Sequence, residues 1–137
     1  LKLLNQRIPH ESWDDETPPN EWEYNFAAYT GTHDSPTLKQ WIAETSEGQR
    51  NNLREYLENN LQNKQHSEVW DSIAVVWETN CQLAGTMVQD LLELGSEARF
   101  NIPGQQMGNW DWRLTSMNEL NNLTEKLYAL NKATERS

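Results

Sequence analysis

The chain has 137 residues, the length of one modest domain, and sets 11 Lys+Arg against 21 Asp+Glu for a formal net charge of −10. Its basic residues are scattered, so a phosphate backbone is repelled instead of gripped, which argues against nucleic acid as a partner. The single cysteine, Cys81, rules out an internal disulfide and fits a reducing compartment, and the longest apolar runs, such as Ile73 to Trp77, fall far short of the roughly 20 residues that cross a bilayer. No positively charged start leads into an apolar signal region, so the expectation is a soluble, cytoplasmic protein that engages no membrane.

In chain order, Leu1 to Leu4 reads as a strand entering from upstream sequence, and the absence of an initiator methionine points to a piece of something longer. Gln6 to Glu23 carries Pro9, Pro18, Pro19 and the run Asp14-Asp15-Glu16, a surface loop by composition, with Trp13 and Trp22 as its anchors to the body. Phe26 to Thr30 is β-compatible, Gly31 permits a sharp turn, and Ser35 before Pro36 has the form of a helix cap and first helical residue. That order places His33 and Asp34 at the carboxyl end of a strand, where α/β sheets and barrels keep their chemistry. The plain alternative for the dipeptide is a turn with a solvated aspartate.

Three helices follow. Pro36 to Glu44 spaces Leu38, Trp41 and Ile42 on one face; Ser46 to Asn63 does the same with Leu53, Tyr56, Leu57 and Leu61; and His66 to Asn80 carries Val69, Trp70, Ile73, Val76 and Trp77 on a broad apolar face that reads as core. Leu83 to Gln89 is a run of strand length, giving the strand, helix, strand order of a parallel sheet. Asp90 ends this run and reads either as a second carboxylate at a strand end or as the cap of the turn Leu91 to Leu94. Residues 95 to 115 form a glycine-rich loop with no Gly-Lys-Ser/Thr and no G-x-G-x-x-G after a strand, which speaks against nucleotide binding. The chain ends in a helix over Met117 to Asn131, with Ser116 and Glu119 at capping-box spacing. His10, His33 and His66 are far apart and no ligand spacing recurs, so no metal is expected.

Three blocks stand out together: Tyr29-Thr30-Gly31-Thr32-His33-Asp34, then Gly95-Ser96-Glu97-Ala98-Arg99 with Asn101 and Pro103-Gly104, then Gly108-Asn109-Trp110 with Trp112-Arg113. In this order and at these separations they resemble the 4-α-glucanotransferases, the amylomaltase or disproportionating-enzyme family. The resemblance implies an α/β fold in which residues 1–137 are the carboxyl-terminal part of a (β/α)₈ TIM barrel, a partial catalytic domain that is helix-rich in isolation. A complete barrel takes about 250 residues. It also implies α-1,4-glucans and maltooligosaccharides as partners, no cofactor, and a missing upstream part of the barrel that supplies the nucleophilic aspartate and the acid/base glutamate.

Within this chain the resemblance assigns Asp34 as the third catalytic carboxylate, His33 as a ligand of hydroxyls on the same glucose, and Asn109 as a substrate contact. Arg99 and Trp112 fall to structural roles. Ser35-Pro36 departs from the Asn-Asp that members commonly carry after the aspartate. The competing expectation is a helix-rich module that binds a glycan or a protein without chemistry.

Overall fold

The computed structural model describes residues 5–7 and 17–136. The strand expected over Leu1 to Leu4 and the anchor Trp13 lie outside them. Three strands, β1 (Asn5–Arg7), β2 (Phe26–Tyr29) and β3 (Leu83–Gly85), form a wholly parallel sheet in the order β1-β2-β3. The loop expected from Gln6 therefore begins later, since Gln6 and Arg7 pair with Ala27 and Ala28. Trp22, in that loop, is buried and donates its indole N–H to the Thr17 carbonyl, 3.1 Å away.

Ala27 and Ala28 at the sheet centre are buried, and their small side chains leave room for a helix to lie close. The connection from β2 to β3 runs through α1 (Leu38–Glu44), α2 (Glu47–Asn60) and α3 (Glu68–Glu78). Side-chain oxygens of Thr37, Ser46 and Ser67 accept from the amides of Gln40, Gln49 and Trp70, so each helix begins where its first free N–H groups find a partner. The cap expected at Ser35 is thus two residues later. Ser35 Oγ instead accepts from the Thr32 amide at 3.1 Å, closing the preceding turn on itself.

In α3, eight consecutive residues, Val69 to Val76, are buried, so the helix touches other elements on every side. One side joins Leu38, Trp70, Ile73, Ala74 and Leu130 in the main core, and the other joins Trp22, Ala28, Val76 and Cys81 against the sheet. None of the helices among the described residues is long and apolar enough to cross a membrane.

The strand expected over Leu83 to Gln89 stops at Gly85, and α4 (Val88–Leu91) takes its last residues. Ladder pairing ends because the Thr30 amide takes the Gly85 carbonyl at 3.1 Å while the Met87 amide turns to the Thr30 hydroxyl at 3.2 Å. Gly85 is required there, since a Cβ would collide with the Tyr29 ring. The helix expected from Met117 splits at Asn122 and Leu123 into α5 (Asn118–Asn121) and α6 (Thr124–Ala133), and Ser116 accepts from the Asn118 amide instead of forming a capping box with Glu119.

After α6, Arg136 reaches back to the carboxyl end of α3. Its Nε donates to the Trp77 carbonyl at 2.6 Å, Nη2 to Thr79 at 2.7 Å and Nη1 to Cys81 at 3.1 Å, where carbonyls past the last turn lack helical partners. Because a half-buried cation serves three acceptors at once, Arg136→Ala is expected to cost about 1–3 kcal/mol. Urea denaturation of the chain checks this, and an unchanged midpoint would show that water replaces all three bonds at no cost.

Candidate active site

The carboxyl ends of β2 and β3 open on a cleft of about 660 Å³ lined by Gly31, Thr32, His33, Asp34, Thr86 and Met87 together with the strand ends. The turn 31–37 supplies the reactive groups. His33 Nε2 lies 2.9 Å from Asp34 Oδ2, and the two side chains are 55% and 48% exposed, open to a solute in the cleft. Among the described residues that line the cleft, Asp34 is the one carboxylate.

A second segment, more than sixty residues on, converges on Asp34. Asn101 Nδ2 donates to Asp34 Oδ1, and Arg99 donates Nη2 to the Asp34 carbonyl at 2.8 Å and Nε to the Asn101 carbonyl at 3.0 Å. Arg99 therefore links the two backbones, and Asn101 and His33 hold opposite oxygens of one carboxylate. Asn101 is a site residue that the sequence reading did not single out. Its signal was its place two residues after Arg99 in the second block, with no local feature to mark it.

Asn109, expected to contact substrate, has both ends of its amide engaged inside its own loop. Oδ1 accepts from the Ile102 amide at 3.0 Å and Nδ2 donates to the Gln105 carbonyl at 2.7 Å. The following residue, Trp110, takes the left-handed backbone conformation at φ 63° and remains 52% exposed. Its ring centroid is 5.2 Å from that of His33 and 5.8 Å from that of Phe100, so the indole forms a wall beside the His33-Asp34 pair. Trp112 meets Phe100 edge-on, with ring centroids 5.9 Å apart.

Asp90 belongs to neither of its expected places. It is 2% exposed, its Oδ2 accepts from the Thr30 hydroxyl at 2.7 Å and its Oδ1 from the Leu38 amide at 2.8 Å. Burial pushes its pKa up, and the two hydrogen bonds pull it back. A carboxylate with both oxygens engaged behind the strand ends cannot reach a substrate, and the N–H it caps is that of α1 instead of the turn Leu91 to Leu94. Among the described residues no group of three or more His, Cys, Asp or Glu side chains is placed to hold a metal.

The arrangement brings one exposed carboxylate and an imidazole to the cleft, with a flat indole beside the imidazole. Such a set can accept hydrogen bonds from vicinal hydroxyls, favour positive charge developing nearby, and cover the apolar face of a sugar ring. Among the described residues of the cleft lining there is no pair of carboxyl groups about 5 Å apart of the kind that serves a retaining glycosidase as acid and nucleophile.

The sequence model described as 4-alpha-glucanotransferase matches residues 2–120. The 4-alpha-glucanotransferase of Aquifex aeolicus is 38% identical over 96 residues, covering 70% of this chain and 19% of that protein. The chloroplastic/amyloplastic 4-alpha-glucanotransferase of Solanum tuberosum is 37% identical over 105 residues, 77% of this chain and 18% of that protein. The chain thus spans about a fifth of the length of the curated relatives it matches. In fold it is similar to the amylomaltase from Streptococcus agalactiae in complex with acarbose, with a TM-score of 0.86 at 23% identity over 98% of this chain and 28% of that one.

Proposed function

Because the chain belongs to the 4-alpha-glucanotransferase family, we propose that residues 1–137 form the carboxyl-terminal strands and helices of a (β/α)₈ barrel whose full-length protein transfers α-1,4-glucan segments between maltooligosaccharides. The observation that carries this reading is the convergence of Arg99 and Asn101 on Asp34 at the carboxyl ends of a parallel sheet. Barrels build their sites from the ends of several strands, and here two distant segments meet around one carboxylate.

In a retaining mechanism, a nucleophilic carboxylate displaces the leaving sugar, which an acid protonates, and a glycosyl-enzyme forms. A sugar hydroxyl then replaces water in the second step, with the acid now acting as base. Both of those groups belong to the upstream part of the barrel. Asp34 serves as the third carboxylate: its oxygens accept from hydroxyls of the glucose undergoing transfer, and its charge favours the oxocarbenium-like transition state, so the interaction strengthens along the reaction. His33 donates to a hydroxyl of the same ring, and Trp110 gives that ring an apolar wall. Substrate enters in competition with the bonds Asp34 makes to His33 and Asn101, which hold the carboxylate in one orientation until then.

The test is a maltotriose assay of the full-length protein, in which transfer releases glucose and builds longer maltooligosaccharides, run beside purified 1–137. The full-length protein is expected to disproportionate maltotriose and the isolated chain to release no glucose. Transfer by 1–137 alone would overturn the division of labour, and glucan binding without transfer by the full-length protein would favour a non-catalytic binding module.

A further inference from the structure

Behind the cleft, the Asp90 carboxylate joins the two ends of the turn that carries the reactive pair. Thr30, whose hydroxyl donates to Oδ2, stands four residues before Asp34, and Leu38, whose amide donates to Oδ1, stands four residues after it. The Thr30 oxygen also accepts from the Met87 amide at 3.2 Å, so its one proton is directed at Asp90. The next residue back, Gln89, is likewise 2% exposed and donates Nε2 to the Ala98 carbonyl at 3.3 Å. Ala98 immediately precedes Arg99, the residue that grips the Asp34 backbone. The single turn of α4 therefore holds both segments that meet at Asp34.

A buried carboxylate is a costly way to fill this space, and apolar residues of similar volume would hold a core at least as well. What a carboxylate supplies is two acceptor oxygens at a fixed separation, which sets the distance between a hydroxyl and an N–H on either side of a seven-residue turn. We propose that Asp90 is a positioning residue for glucan transfer: through Thr30 and Leu38 it fixes the turn 31–37 so that the Asp34 carboxylate and the His33 ring face the cleft. This rests on the reading of Asp34 as the transition-state carboxylate. Asp90 is buried away from the cleft, and its influence is on the placement of Asp34 and His33.

The test compares four variants of the full-length protein. Thr30→Val removes the hydroxyl and Asp90→Asn leaves one acceptor oxygen for two donors, so that each breaks one arm of the clamp with nearly the same shape. Thr30→Ser keeps a hydroxyl, and Leu53→Ala is a buried-core change in α2 outside the turn. Small misplacements of a reacting group cost rate more than ground-state affinity. Accordingly, Thr30→Val and Asp90→Asn are expected to lower kcat for maltotriose by on the order of ten-fold with KM nearly unchanged, while Thr30→Ser stays near wild type and Leu53→Ala loses thermal stability without losing kcat per folded molecule. If Thr30→Val and Asp90→Asn keep wild-type kcat while melting earlier, Asp90 is structural only and the proposal fails.

Hydrogen exchange in the full-length protein reads the clamp independently of activity. The amides of Leu38 and Met87 are expected to exchange faster in Thr30→Val and Asp90→Asn than in wild type, and equal rates would overturn the clamp. A full-length wild-type protein that transfers no glucan, with these amides responding as expected, would instead refute the functional reading and leave the clamp standing.

Discussion

Asp34→Asn in the full-length protein is expected to lower disproportionation of maltotriose by on the order of 10² to 10³, the usual cost of removing one transition-state stabiliser. The substitution retains size and one acceptor oxygen for the Asn101 amide, and the Arg99 bond survives because it is made to the main-chain carbonyl. What disappears is the negative charge 2.9 Å from His33 Nε2 and, under the proposed mechanism, beside the developing oxocarbenium. The loss should therefore fall on kcat, with the melting temperature unchanged. His33→Ala removes hydroxyl binding without removing that charge and is expected to cost less, with a larger share in KM. Product analysis by chromatography decides the matter, and near-normal transfer by Asp34→Asn would remove Asp34 from the mechanism.

The second large effect is on stability. Trp70 is fully buried in α3, shares the main core with Ile73, Ala74, Leu38 and Leu130, and carries the Lys126 ammonium 4.0 Å above its ring. Trp70→Ala leaves a cavity at the meeting point of several helices and removes the cation–π contact, so a loss of about 3–5 kcal/mol is expected. That is comparable to the whole stability of a marginal domain. Urea titration of the chain by circular dichroism checks it, and a midpoint close to wild type would mean that the surrounding helices collapse into the space.

Helical segments are legible in the sequence because the buried faces of α1, α2 and α6 repeat at the helical period, and because α3, buried on every side, carries a broad run of apolar residues longer than a strand. Phe26 to Tyr29 likewise had the composition of a central strand. The errors fall where a long-range bond overrides a local pattern. Leu83 to Gln89 is one apolar run that reads as strand to its end, yet the Thr30 hydroxyl captures the Met87 amide, the ladder ends at Gly85, and Val88 and Gln89 begin α4. Ser35-Pro36 has the form of a cap, but the Leu38 amide is already held by Asp90, fifty-two residues away, and the helix begins at that point. Of the site, His33 and Asp34 were visible because their positions follow from strand and turn alone. The contact of Asn101 with Asp34 was not, since it exists only once Arg99 has drawn its segment against Asp34, and the hydrogen bonds of the Asn109 amide within its own loop carry no mark in the sequence either.

The sheet has a further consequence. Among the described residues β3 pairs with β2 alone, and Leu83 on it is 48% exposed. If the three strands belong to a closed ring, β1 and β3 must each pair with a further strand, so other parts of the polypeptide meet this segment along two seams at once. Satisfying one seam while leaving the other open would expose a full row of backbone donors and acceptors. Docking of this segment onto the rest of a ring is then expected to be cooperative, because a form joined along one seam alone leaves the other row unpaired.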